Sequence, residues 1–300
     1  MSHIAHHFLC KDEVHFNQEE HAIWMLLLTQ LKQNLAEFHA QIHPDYFDGF
    51  KNLAFTVNKI PDIQWLNQQL ASIGWTACFV RGFVPAKYYV QLLANCIFPI
   101  SSHIRKKSFI KHSPSPDFIH DILGHLPMLF SSQYRHFIQR WAKAATQTSV
   151  MLLDELLFER NDALIKIKES PLATDVAIIK VETKLLQIQQ QLQTSPTPLS
   201  QLTKLYVWSS EYGLLKTKDR LAIFGAAIMS SSDEIEAIVN GHTTIVTLDW
   251  STIENDVDYT SVQRTLYAAD SFEVYEHLLD KLTANSAIQN DQVKVRATTR

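Results

Sequence analysis

From Pro116 to Pro127 the chain reads Pro-Asp-Phe-Ile-His-Asp-Ile-Leu-Gly-His-Leu-Pro, and no other stretch constrains it so sharply. His120 and His125 stand five apart in an apolar, helix-like run, around a carboxylate and a glycine. Polar groups persist in apolar surroundings when they are paired or put to use. Two neutral imidazoles supply two ligands for a first-row metal, and a distant carboxylate would complete a facial two-His, one-carboxylate set. Residues five apart on a straight α-helix point roughly 140° away from one another. Convergence therefore requires a distorted backbone or a close neighbour, either of which Gly124 permits. The alternative is a pair of helix histidines hydrogen-bonded inside a core. Ser115 is placed to cap this helix, Pro116 suits its first position, and Asp117 complements its dipole.

The rest of the chain reads as mainly helical. Ile23, Leu26, Leu27, Leu31, Leu35 and Phe38 recur at helical spacing and predict a helix over residues 19–42. Shorter helices are expected at 62–73 and 86–97, and a long one from Ser132. Residues 97–104 are β-like despite Pro99, and 243–249 read as a strand. Ile178, Val181, Leu185, Ile188 and Leu192 form a heptad-like stripe, separated by Pro171 from the helix before it. This predicts a helical hairpin laid on the core within a segment of about 150–198, a place that also suits a dimer contact. The polar residues 285–300 read as a flexible tail.

Hydrophobic content of 46% supports a sizeable core. A net charge of −4 without a basic stripe argues against a nucleic-acid partner. No apolar run reaches the roughly 18–20 residues of a membrane span. The three cysteines form no C-x-x-C, and the start lacks a basic, then apolar leader, so a reducing cytoplasm is the expected home. His3, His6 and His7 read as a flexible tail. The seven glycines form no phosphate-cradling cluster, which removes dinucleotide-fold and P-loop readings.

The run around the two histidines resembles the metal motif of the tetrahydropterin-dependent aromatic amino acid hydroxylases, roughly P-D-x-x-H-E-x-x-G-H-x-P. Two further segments are similar to that family in the right order. Tyr206-Val207-Trp208-Ser209-Ser210-Glu211-Tyr212-Gly213-Leu214 resembles its E-[FY]-G-L region, and Phe224-Gly225-Ala226-Ala227-Ile228-Met229-Ser230-Ser231 its Y-G-A-G-L-L-S-S region. The likeness runs from about Gly82 to Phe272. It implies a mainly helical catalytic domain over residues 1–284 with a minor β element. It also implies Fe(II), a tetrahydropterin, O2 as co-substrate and an aromatic amino acid, phenylalanine first, as substrate. The expected state is monomer or dimer.

The resemblance also implies roles. Glu211 becomes the third metal ligand beside His120 and His125. Arg105 would grip the amino acid carboxylate, as guanidinium suits bidentate pairing, with Ser113 and Ser230 near the same group and Pro116 and Tyr212 lining the pocket. Tyr89, Asp121 and Tyr206 would lie along the pterin. Asp117, one turn before His120, is a candidate acceptor fixing that imidazole's tautomer. Asp121 stands for a family Glu, Pro99 for a family His near the pterin, and Val207 for the pocket Trp of phenylalanine hydroxylases, so the pocket is altered. Three competing readings stay open: a zinc hydrolase, which lacks the H-E-x-x-H spacing; the same iron site with another substrate or reductant; and a non-catalytic helical interaction protein.

Overall fold

The computed structural model describes residues 8–298 apart from 11–12, 83, 112, 114, 171, 217, 219 and 256–261. Its frame is helical. Helix α1 (Gln18–Glu37) begins at a capping box in which Asn17 and Glu20 satisfy each other's backbone N–H groups, at 3.0 and 2.7 Å. It buries Ile23, Trp24, Leu27, Leu28, Leu31 and Leu35. Helices α2 (Pro44–Leu53), α3 (Ile63–Ala71) and α4 (Ala86–Ala94) follow. Then come α5 (Ser132–Thr146), α6 (Leu152–Glu169), α7 (Asp175–Thr194), α8 (Pro198–Tyr206), α9 (Ala226–Met229), α10 (Ser232–Val239) and α11 (Phe272–Thr298).

Six short strands make three separate two-stranded sheets, and no central parallel sheet joins them among the described residues. Strands β1 (Thr76–Val80) and β2 (Ile97–Ser101) pair in parallel, with α4 as the crossover. Pro99 is tolerated because a strand with one neighbour has an edge where its missing N–H is not needed. Strands β3 (Leu214–Lys216) and β4 (Leu221–Ile223) pair antiparallel, and β5 (Thr244–Thr247) pairs in parallel with β6 (Thr265–Ala268).

One hydrophobic cluster runs from Ile23 to Leu282 and encloses the histidine segment. Phe118 is its hub, with the rings of Phe16, Trp24 and Phe79 at 4.9–6.1 Å. Such pairs add about 0.5–1.5 kcal/mol each beyond burial.

The stripe of Leu185, Ile188 and Leu192 is buried on α7, as its spacing predicts. Helices α6 and α7 form the expected hairpin, tied by Lys168 to Glu182 at 2.9 Å. It is not laid on the main core, however. Among the described residues its buried side chains stand outside that cluster, and Val176, Ile179 and Leu186 face solvent. The stripe is consumed by the hairpin's own seam. Pro171 lies outside the described residues, as do His3, His6 and His7. Helix α11 continues to Thr298 through part of the segment read as a tail, since extending a formed helix is far easier than starting one.

Candidate metal centre

Two π-helical turns build the site. The first spans His120–His125, and the N–H of Leu126 returns to the Asp121 carbonyl five residues back. The second, Val207–Glu211, continues α8, and the N–H of Tyr212 reaches the Val207 carbonyl at 2.9 Å. The wider i→i+5 turn swings residues five apart much closer to one face than an α-helix does. His120 and His125 therefore face the same way, which a straight α-helix would forbid.

Tertiary contacts hold the first turn open. Tyr46, on α2, donates its hydroxyl to the Leu123 carbonyl at 2.5 Å. A Cβ on Gly124 would lie 2.6 Å from the Ala226 carbonyl oxygen and 2.9 Å from the Ala226 Cβ, so α9 lies directly on the glycine. Gly124→Ala is expected to push α9 and the π-turn apart and destabilise the fold by about 1–3 kcal/mol, read as a lower denaturation midpoint. An unchanged midpoint would show that the contact yields freely. Behind Glu211, a Cβ on Gly225 would meet the Gly213 nitrogen at 2.2 Å and the Glu211 carbonyl oxygen at 2.5 Å. The two chain segments touch backbone to backbone there, which fixes where Glu211 leaves its turn.

The three side chains converge. His120 Nε2 lies 3.2 Å from His125 Nε2, His125 Nε2 lies 3.2 Å from Glu211 Oε1, and His120 Nε2 lies 3.1 Å from Glu211 Oε2. Each imidazole nitrogen meets a different oxygen of the same carboxylate, so the two nitrogens and the carboxylate crowd around one point, as ligands of a divalent first-row ion do. Among the described residues this is the one His/Cys/Asp/Glu group with ligand spacing. Lone pairs facing one another in a buried site call for a cation or a shared proton. Burial lowers the His120 pKa, but the charge and hydrogen bond of Glu211 outweigh it and the net shift is upward. Burial alone would raise the Glu211 pKa, yet His125 and His120 hold its carboxyl well below the usual carboxylate range.

The outward-facing nitrogens are held as well. His120 Nδ1 faces the Ser230 hydroxyl at 3.3 Å, and that hydroxyl donates to the Ala226 carbonyl at 2.8 Å. His125 Nδ1 faces the Tyr134 hydroxyl at 3.3 Å. Metal-bound histidines characteristically donate their second N–H in this way.

Asp117 does not play the part its spacing suggests. Its carboxylate accepts the Arg105 backbone N–H at 2.8 Å, Arg105 Nε at 3.0 Å, Arg105 Nη2 at 2.7 Å and the His120 backbone N–H at 3.1 Å. It is the helix N-cap in place of Ser115, and capping aims its oxygens at backbone N–H groups, away from the imidazole. Arg105, only 6% exposed, lies in this buried pair rather than in a solvated basic run.

The other sequence-marked residues divide in two. The Tyr89 and Tyr206 hydroxyls meet at 2.8 Å, and the Tyr206 ring lies between His125 and Trp141, with centroids at 6.3 and 4.4 Å. Burial raises both phenol pKa values well above 10, so both stay neutral. Asp121 is buried and accepts the Ser101 N–H at 2.7 Å, and burial pushes its pKa up. These three share the centre with the triad. Ser113, by contrast, donates to the Ser115 carbonyl at 2.6 Å, and Pro116 is exposed. Tyr212 packs on Trp208 with its hydroxyl 3.5 Å from the Gln263 amide. Val207 is buried on the second π-turn. Tyr134 and Ser210 were not singled out from sequence: a tyrosine on an amphipathic helix and a serine in an aromatic run look ordinary.

The family model for biopterin-dependent aromatic amino acid hydroxylase matches residues 2–154 and 170–298, which leaves out most of α6. The phenylalanine-4-hydroxylase of Mesorhizobium japonicum is 26% identical over 271 residues, covering 89% of this chain and 77% of that protein. A tyrosine 3-monooxygenase of Schistosoma mansoni is also 26% identical, over 75% of this chain and 39% of its own. Among solved structures, Chromobacterium violaceum phenylalanine hydroxylase with bound iron(III) and 7,8-dihydrobiopterin superposes with a TM-score of 0.71. It shares 22% identity and covers 97% of this chain and 89% of that one.

Proposed function

The chain belongs to the biopterin-dependent aromatic amino acid hydroxylase family, and from that premise we propose that it hydroxylates the ring of an aromatic amino acid, phenylalanine to tyrosine. It does so with Fe(II), a tetrahydropterin and O2. The observation that carries this reading is the buried triad on two π-turns, with donor atoms 3.1–3.2 Å apart.

His120, His125 and Glu211 would hold the ion, the two-His, one-carboxylate set that non-haem Fe(II) oxygenases use. Bound there, iron and reduced pterin supply O2 activation and the electrons that a monooxygenation requires. The protein's own part is to bind, orient and keep water out. Ser230 holds His120 with Nε2 inward. Tyr89, Tyr206 and Asp121 form a polar wall beside the triad, suited to a pterin's ring nitrogens and oxygens. Trp141 packs against Tyr206 behind the wall, and Phe98 packs against His125. Asp117 occupies Nε and Nη2 of Arg105, and a substrate carboxylate gripped by this residue would pair with Nη1. Ser113 and Pro116, just before the metal segment, and Tyr212, just after Glu211, are the candidate rim of the substrate pocket.

Residues 1–284 act as one catalytic unit with the α6–α7 hairpin as an appendage. No helix among the described residues is long and apolar enough to cross a membrane. The reading places the chain in the cytoplasm as a monomer or dimer, acting on a free amino acid rather than on nucleic acid.

The test is anaerobic Fe(II) loading, then O2 and tetrahydropterin with phenylalanine, tyrosine or tryptophan, with products read by mass spectrometry. Phenylalanine should gain one oxygen and co-chromatograph with tyrosine. Oxygen appearing in tryptophan or tyrosine instead would assign the altered pocket at Val207 to a different ring. No oxygenated product with any of the three, from an iron-replete chain, would reject the activity.

A further inference from the structure

The two histidines of the centre are oriented differently. The Ser230 hydroxyl beside His120 lies just past the end of α9 and gives its own proton to a main-chain carbonyl. His125 instead faces a pair of side-chain hydroxyls. Tyr134 Oη lies 3.3 Å and Ser210 Oγ 3.5 Å from His125 Nδ1, and the two oxygens are 2.5 Å from each other. Tyr134 is the third residue of α5, where its N–H bonds the Ser131 cap at 3.5 Å, and its ring packs edge-on against Phe224. Ser210 directly precedes Glu211 on the second π-turn. Both are almost fully buried, at 2% and 1% exposed.

Donor and acceptor counting assigns the protons. For His125 Nε2 to turn a lone pair toward a cation, Nδ1 must carry the ring proton. That N–H needs an oxygen acceptor, and the phenol is the nearer of the two. The buried phenol can accept from the imidazole N–H while donating its own proton to Ser210 Oγ, 2.5 Å away. Among the described residues no buried side-chain nitrogen or oxygen lacks a partner, so this arrangement leaves nothing unsatisfied.

We infer that Tyr134 and Ser210 are positioning residues, a two-hydroxyl bracket that fixes the tautomer and ring angle of His125 and ties that ligand through α5 to the turn carrying Glu211. This inference rests on the metal-centre reading above. Neither residue touches the reacting atoms. Their effect reaches the chemistry through His125, so it should appear first in metal binding.

The experiment measures Co(II) affinity, by competition with a chromophoric chelator, and the visible spectrum of the Co(II) form. It compares the parent chain with Tyr134→Phe, Ser210→Ala and Tyr275→Phe. The last removes another buried phenol, one that donates to the Leu214 main-chain carbonyl at 3.0 Å, and reports general loosening of the fold. Partners that orient a ligand histidine are typically worth ten- to a hundredfold in metal affinity. Tyr134→Phe should fall in that range with shifted Co(II) bands, Ser210→Ala should follow with a smaller loss, and Tyr275→Phe should bind as the parent does.

Parental affinity and spectrum in Tyr134→Phe would overturn the inference, as would an equal loss in Tyr275→Phe. A parent chain that binds no Co(II) would overturn the metal-centre reading and this inference with it. A parent that binds, beside a Tyr134→Phe that binds equally, would overturn this inference alone. Should Tyr134→Phe fail to fold, the Zn(II)-loaded parent decides the matter by NMR. A slowly exchanging His125 Nδ1–H that contacts Tyr134 supports the bracket, and an Nδ1 without a proton sinks it.

Discussion

His120→Ala is expected to yield a folded chain that retains no ferrous ion and forms no hydroxylated product. The imidazole supplies one of three donor atoms at 3.1–3.2 Å from its partners, and alanine cannot replace it. Partners one bond removed from a metal are worth ten- to a hundredfold; a direct ligand is worth more, so affinity should drop by at least about a thousandfold. The fold should survive, because what His120 touches around the centre is polar: Ser230, His125 and Glu211. Glu211→Gln is the companion variant. It keeps an oxygen of nearly the same shape but removes the negative charge, so its metal loss reports the charge alone. Dialysed protein is assayed for iron by mass spectrometry and for fold by circular dichroism. A His120→Ala chain that keeps stoichiometric iron would remove His120 from the ligand set.

Helical geometry read from sequence argued against the very ligand pair that the resemblance implied, and the π-turn explains the conflict. A local pattern sets the helical period near 3.6 residues. What widens it here is tertiary: the Tyr46 hydroxyl on the Leu123 carbonyl, and α9 lying on Gly124. Residues 77 and 102 positions away from their partners in the chain cannot be paired from one sequence. Gly124 was the visible trace of that contact. The same reason hid the roles of Tyr134 and Ser210. Asp117 was visible as an important acid, but its partners were not, because spacing cannot distinguish a carboxylate that caps a backbone from one that holds a ring. The α6–α7 hairpin was legible from its heptad stripe, but where it packs was not: a stripe marks an apolar face without saying what covers it. Strands β3 and β4, three residues each, were too short to leave a period.

Arg105→Ala should have the largest effect outside the triad, and the structure changes what that effect contains. Read as a substrate grip alone, the residue would lose one charge-assisted pair of roughly 1.5–3 kcal/mol. That is roughly ten- to a hundredfold in amino acid affinity, with the metal untouched. The structure adds Asp117, fully buried and held by three Arg105 N–H groups. Removing the guanidinium strands that carboxylate, and breaking one side of a buried pair typically costs about 3–5 kcal/mol. Asp117 also caps the His120 amide, so the disturbance ends at a metal ligand. Burial raises the Asp117 pKa, but Arg105 outweighs it and the net shift is downward. The pair's contribution is therefore present above the unfolded carboxylate value of about 3.9 and is lost as pH falls through the folded one. In Arg105→Ala the sign reverses: the deficit should be greatest near neutral pH and shrink in acid, as Asp117 takes a proton. Adding Asp117→Leu should recover much of the stability, because no buried charge then remains, but none of the amino acid affinity. An aromatic amine without a carboxylate should bind the double variant and the parent alike. Chemical denaturation across pH and ligand titration separate the two contributions. A fully recovered amino acid affinity in the double variant would show that Arg105 serves Asp117 only, and that the substrate carboxylate is held elsewhere.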